Sequence, residues 1–234
     1  MSQGVAPQPR RPASLHLRYP EATFLAGYLR VLVEWDARAC VRLLQRRAAM
    51  GVFGAPPTGC LSFVALPLVT GELDAPVPVA DRTISAGRLR DIIGDVTVRV
   101  DQDRIVQIPE AVTGPAELAL LPPSDGWEAS GSSAARTVVE VVDQAVAQFK
   151  SRVPNSQTDP EIAEREADRI WSRPGWEGIP IRALHTAKAL GFLTNLDAQV
   201  AAARLPGWSR FSTPAGQVFT PDEVGTLSLR LLGG

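Results

Sequence analysis

Lysine is nearly absent from this 234-residue chain, where Lys150 and Lys188 stand against 22 arginines. So few primary amines leave little material for Schiff-base chemistry or for the lysine of a phosphate loop. Cysteine and histidine are as scarce, with Cys40, Cys60, His16 and His185 the full supply. A zinc site is hard to assemble from two of each, and neither a paired C-x-x-C nor an H-E-x-x-H occurs. Both glycine loops of nucleotide binding are missing, the G-x-x-x-x-G-K-[ST] form and a G-x-G-x-x-G after a strand. No G-x-S-x-G elbow exists to hold a serine against either histidine. The expectation is a chain without cofactor or metal, and more a binding protein than an enzyme.

Long apolar runs are lacking too. The longest, Cys60–Val69, is too short to cross a bilayer and contains Pro67. Met1–Pro12 is polar and rich in proline and arginine, which fits neither a signal peptide nor an anchor. Two thiols without a secretion signal fit a reducing cytoplasm. A cytoplasmic chain with no membrane partner is expected. The excess of arginine and alanine reads as the codon usage of a GC-rich bacterial genome.

What is present is unevenly charged. Residues 1–50 carry eight arginines against Glu21, Glu34 and Asp36, whereas residues 71–130 carry five arginines against eleven acids. Such asymmetry marks either a basic binding face or two regions that attract each other.

The pattern predicts an α+β fold. Residues 1–12 read as a disordered tail and residues 13–125 as a mixed sheet-and-helix domain. Residues 132–221 read as a helical domain closed by a β-hairpin, and 222–234 as a C-terminal segment. Leu15, Leu17 and Tyr19 alternate as in a first strand. Asp36 caps a predicted helix to Met50, with Ala37, Val41, Leu44 and Ala48 on its buried face. Cys60–Val69 reads as a central strand, with further strands at 77–79 and 96–100. A turn at 101–103 leads into a strand at 105–108, and Ser85 caps a helix through Ile93. Ser132 or Ser133 starts a helix to Arg152, and Asp159-Pro-Glu starts another. Pro180 and Gly191 bound a three-turn helix, followed by a helix over 195–204 and a hairpin over 208–220. That last order also fits a winged helix, although Asp197 takes a position normally apolar and the half is electrically neutral.

One dense block carries the candidate binding residues. On the helix 180–190, Arg182, His185 and Lys188 fall on one side, as an anion contact or a solvated polar face would place them. Arg38, Arg42 and Arg46 form a similar stripe on the predicted 36–50 helix. Trp171 and Trp176 flank a Pro/Gly corner, where tryptophans are either a platform or packing wedges; Trp208 and Trp127 read alike.

Leu121-Pro-Pro-Ser-Asp-Gly-Trp127, Trp171-Ser-Arg-Pro174 and Ile179-Pro-Ile-Arg-Ala-Leu-His-Thr-Ala-Lys-Ala-Leu-Gly-Phe-Leu193 together resemble an uncharacterised family from actinobacteria. The resemblance is vaguer before residue 60, and it implies no activity. The leading expectation is a non-catalytic adaptor that contacts a protein partner through Arg182, His185, Lys188 and the tryptophan corner. A DNA-binding regulator built on a winged-helix-like C-terminal domain is the alternative. An enzyme of unrecognised type is the third reading.

Overall fold

The computed structural model describes residues 13–46, 48–69, 81–96, 104–154 and 159–222. Strand β1 (Ser14–Leu17) buries Leu15 and Leu17, as their alternation predicts. Helix α1 (Tyr19–Trp35) follows at once. Pro20 sits in its first turn, where a missing N–H costs nothing, and Glu21 pairs there with Arg18. Ala22, Leu25, Leu29 and Leu32 recur along one stripe and are buried.

The helix expected over 36–50 is a correction. Its residues form a hairpin of β2 (Cys40–Arg46) and β3 (Ala49–Gly54), with Arg46 paired to Ala49 across the turn. Both faces of β2 carry apolar side chains: Val41 and Leu43 on one, Cys40 and Leu44 on the other. That double coverage imitates helical spacing, and cross-strand pairing decides against it. Strand β4 (Leu61–Pro67) matches the long apolar run.

Strand β5 (Asp81–Ser85) leads directly into α2 (Ala86–Val96), where the Ser85 hydroxyl accepts from the Arg88 N–H at 3.3 Å. Strand β6 (Arg104–Gln107) pairs with β1. The strand expected at 77–79, most of that at 96–100 and the turn at 101–103 lie outside the described residues.

Gly131-Ser-Ser133, expected to open a helix, belongs instead to strand β7 (Glu128–Ala134), and α3 (Ala135–Arg152) begins after it. Helix α4 (Pro160–Trp171) starts at Asp159, whose carboxylate accepts from the Glu161 N–H at 2.8 Å. Helix α5 (Ile181–Ala189) falls between Pro180 and Gly191, and the glycine takes φ 79°, which favours a residue without Cβ. The expected helix over 195–204 is strand β8 (Gln199–Leu205). Its alanines have high helix propensity, but Ala202 and Ala203 are buried between neighbouring strands, and pairing overrides propensity. Strands β9 (Trp208–Ser212) and β10 (Gln217–Pro221) form the predicted hairpin, turned at Thr213–Gly216.

Eight strands make one antiparallel sheet in the order β5-β2-β3-β4-β10-β9-β8-β7. Each half of the chain supplies four, and the halves meet where Phe63 of β4 pairs with Gln217 of β10. The two halves mirror each other: a three-strand meander lies inside, and an edge strand leading into a helix lies outside. A helical C-terminal subdomain with a winged helix is therefore overturned. No second helix follows Gly191 among the described residues, and the hairpin is the middle of a large sheet.

Helices α1, α2, α3 and α5 cover one face, burying Val41, Val52, Val64, Phe211 and Val218 in a continuous core. A polar pair is sealed within it: the Tyr28 hydroxyl bonds Ser62 Oγ at 2.7 Å, and Ser62 Oγ also lies 3.3 Å from the Gly54 carbonyl. Burial pushes the Tyr28 phenol well above its ordinary pKa, so it stays protonated. Replacing Ser62 by Ala strands the buried phenol and should cost about 1–3 kcal/mol in urea unfolding. Tyr28→Phe should cost about 1 kcal/mol, and the double variant less than the sum of the two.

Candidate functional site

The second face of the sheet has no helix layer among the described residues. Residues 108–127 cross part of it as a strap. The Val112 N–H donates to the Thr83 carbonyl at 2.9 Å, tying the strap to edge strand β5. A short 3₁₀ turn at Ala116–Leu118 then presses Leu118 among Phe53, Leu61 and Phe219. Arg42 holds this turn down. Its Nε and Nη2 donate to the two carboxylate oxygens of Asp81 at 2.8 and 2.7 Å, and its Nη1 donates to the Leu118 carbonyl at 2.7 Å. The hydrogen bonds from Arg42 hold the Asp81 carboxyl below the usual carboxylate range. Of the two readings of the charge asymmetry, this contact joins the basic N-terminal stretch to the acidic middle one. Farther on, the Trp127 indole N–H donates to the Pro123 carbonyl at 2.9 Å, and the ring lies 5.6 Å from that of Phe219.

Beyond the strap lies an open groove of about 550 Å³. Leu44, Gly51, Phe53, Phe63 and Ala65 form its floor, and residues 121–124 with Trp127 form a wall. Gly51 is required by a close approach, because a Cβ there would stand 2.8 Å from Phe63 Cε2. The missing side chain lets the Phe63 ring lie across β3. Phe53 and Phe63 stack tilted at 4.6 Å between centroids.

Among the described residues that line the groove, the charged side chains are Arg46 and Arg210. The Arg210 guanidinium sits 4.6 Å from the Trp127 ring centroid, and its Nε is buried without a hydrogen-bond partner. Desolvation lowers its pKa. The guanidinium is thus seated on an aromatic face with its Nε donor unused among the described residues.

The residues singled out from sequence fall on opposite sides of the sheet. Arg42 and Arg46 lie on the uncovered face, Arg42 as the clasp of the strap and Arg46 at the groove rim. Arg38 is exposed in the turn before β2. Arg182, His185 and Lys188 are all half-buried on α5, in the helical layer. Lys188 pairs with Asp143 of α3, the His185 ring lies 4.8 Å from that of Trp171, and Arg182 Nε is buried without a partner. Desolvation lowers the His185 pKa, and the charge of Lys188 lowers it further. Trp171 also packs on Phe149 at 5.6 Å, while Trp176 meets Phe211 edge-on at 6.0 Å.

Sequence reading missed Gly51, Phe53, Phe63, Arg210 and Phe219 as groove residues. The available signal was alternation: Phe63 and Ala65 take the odd positions of β4, opposite the buried Val64 and Leu66. A continuous apolar run hides which face is bare. Among the described residues no group of three His, Cys, Asp or Glu side chains could hold a metal ion, and no helix is long and apolar enough to cross a membrane.

Two pH-dependent outcomes follow from these contacts. Asp81 has a lowered pKa, so its contribution to stability is present above the unfolded value near 3.9 and is lost as pH falls through the folded value. The urea midpoint of the native chain should exceed that of Asp81→Asn from pH 5 to 8, and the gap should close below about pH 4. Arg42→Ala should speed proteolytic cutting within 108–127. For His185, the lowered pKa of a base makes stability full above about pH 6.5 and declining as pH drops below it. His185→Gln should flatten that decline between about pH 6.5 and 5, as read by thermal melts across pH.

Residues 122–224 match a family model described as a domain of unknown function, DUF8185. That span takes in the 171–193 block and all but the first residue of 121–127, on which the family resemblance rests. No curated protein matches the chain. Solved structures do match. The DNA polymerase III subunit beta from Pseudomonas aeruginosa aligns with a TM-score of 0.58 over 89% of this chain and 64% of that one, at 12% identity. The beta sliding clamp of Caulobacter crescentus aligns with a TM-score of 0.54 over 90% of this chain and 65% of that one, at 14% identity. The chain thus spans just under two thirds of the length of these proteins. Its fold is the sliding-clamp fold, in place of the winged helix that the element order invited.

Proposed function

We propose that this protein is a non-catalytic interaction protein, and that its groove on the uncovered sheet face holds an extended segment of a protein partner. The observation that carries this reading is Arg210, a cation seated on Trp127 above an aromatic floor, with a buried donor unused and no acid among the described residues that line the groove. A segment that suits the site places an aromatic or branched aliphatic side chain over Phe53 and Phe63 and a carboxylate against Arg210. The α5 face, by contrast, already spends Lys188 on Asp143 and His185 on Trp171. The fold supports the reading, since the proteins it resembles are named a beta sliding clamp and a DNA polymerase III subunit beta.

Duplex DNA is less well served. The five helices together carry ten arginines and lysines against ten acids, which leaves the helical layer neutral. Affinity for phosphate backbones rests on uncompensated cations. A cytoplasmic site of action belongs to the same proposal.

The test is a selection of displayed dodecapeptides on the immobilised chain, followed by fluorescence titration of the recovered sequences. Enrichment of apolar residues with a nearby Asp or Glu is expected. Arg210→Glu and Ala65→Glu should each weaken binding at least tenfold with unchanged circular dichroism, Ala65 being an exposed floor residue. Recovered peptides indifferent to both substitutions would sink the groove reading.

A further inference from the structure

The apolar surface of the groove continues beneath the strap. Phe53 and Phe219 line the groove and also form, with Leu61, the seat that Leu118 fills. The register makes the two parts consecutive rows of one sheet face. Phe53, Phe63 and Gln217 pair across β3, β4 and β10. Leu61, Phe219 and Arg210 pair across β4, β10 and β9, two residues farther along. Two residues of strand advance about 7 Å and return to the same face. Arg210 therefore stands in the row of the seat.

We propose that the Leu118 seat is a second subsite of the groove, which receives a branched aliphatic side chain of the partner segment once the strap has swung out. This inference rests on the groove reading and lengthens its site by one row. The resting occupant defines the matching chemistry, since Leu118 sits among Phe53, Leu61 and Phe219 with 1% of its surface exposed. A leucine or isoleucine of the partner replaces it like for like.

The strap is held lightly. From Glu110 to Leu120, Leu118 alone is buried. Openings flank it on both sides, one of about 540 Å³ beside Pro115 and Glu117 and one of about 310 Å³ bordered by Thr83, Leu118 and Ala119. Segments with few buried apolar contacts and exposed hydrogen bonds open locally at little cost. Release also strands no charge. Arg42 keeps both bonds to Asp81 when the strap leaves, and water replaces the Leu118 and Ala119 carbonyls at its Nη1. The far wall stays in place, because the Trp127 indole holds the Pro123 carbonyl. The strap is thus a built-in competitor: its leucine fills the seat until a partner leucine, anchored also in the groove, displaces it.

The experiment compares the full native chain with the full chain carrying Leu118→Ser, which empties the seat and leaves its lining intact. One library of displayed dodecapeptides is selected on each chain, and the recovered peptides, labelled with fluorescein, are titrated against both by anisotropy. Peptides from the substituted chain should carry a leucine or isoleucine whose replacement by serine weakens binding. The native chain should bind these peptides at least tenfold more weakly than the substituted one. Saturating the native chain with such a peptide should speed amide hydrogen exchange over residues 112–119 at least tenfold. Peptides that bind both chains equally, yet lose affinity with Ala65→Glu, overturn the subsite and leave the groove reading intact. Unchanged exchange over 112–119 at saturation overturns the subsite as well. Recovery of no peptide on either chain overturns both readings. Should circular dichroism show Leu118→Ser misfolded, Gly114→Ala carries the same comparison, since a Cβ there stands 2.5 Å from Thr83 Cγ2 and presses the strap off β5.

Discussion

The pairing of β4 with β10 is the contact on which the architecture depends. It brings residues 63 and 217 together and fuses two four-strand halves into one sheet. Closing so long a loop is entropically expensive, and the ladder alone does not offset it. The offset comes from the helical side, where α1 from the first half and α3 and α5 from the second bury one continuous apolar layer against both meanders. Tyr28 and Ser62 mark the joint: a phenol from α1 reaches a hydroxyl on β4, one strand away from β10, with no buried partner missing.

A sheet covered by helices on one side only leaves an apolar face to be managed on the other. Large exposed apolar patches are uncommon in isolated soluble chains and mark interaction sites when they occur. Here the strap does half the work. Leu118 and the Arg42–Asp81 clasp cover the face near Phe219, and the cover stops short at Phe63. The groove is thus a consequence of how far 108–127 extends, and Arg42 contributes to it by positioning the strap rather than by touching a ligand.

Several local elements were legible in the residues. Asp159-Pro160-Glu161 starts α4, Pro180 and Gly191 bound α5, and the Thr213–Gly216 turn closes a hairpin. Each depends on backbone chemistry confined to a few neighbouring residues. The main failures were helices expected where strands form. Residues 40–46 and 199–205 have helical spacing or helical propensity and are strands, because each is paired on both edges, by a hairpin neighbour on one and by a strand far along the chain on the other. The winged-helix reading failed with them, since it needed β8 to be a helix.

The candidate site divides along the same line. Arg42 and Arg46 stood out early, as cations without acids to match. Arg210, Gly51 and Phe63 did not, because nothing in their neighbourhoods distinguishes a bare sheet face from a covered one. The sequence by itself determined the start of α4, the bounds of α5, the Thr213–Gly216 turn and the α+β composition, all of which follow from chemistry within a turn or two of each residue. Only the tertiary structure decided which strand face lacks a helix layer among the described residues and which guanidinium is seated on an indole ring. Those outcomes depend on contacts between residues as distant as 53, 127, 210 and 219, and no local pattern encodes them.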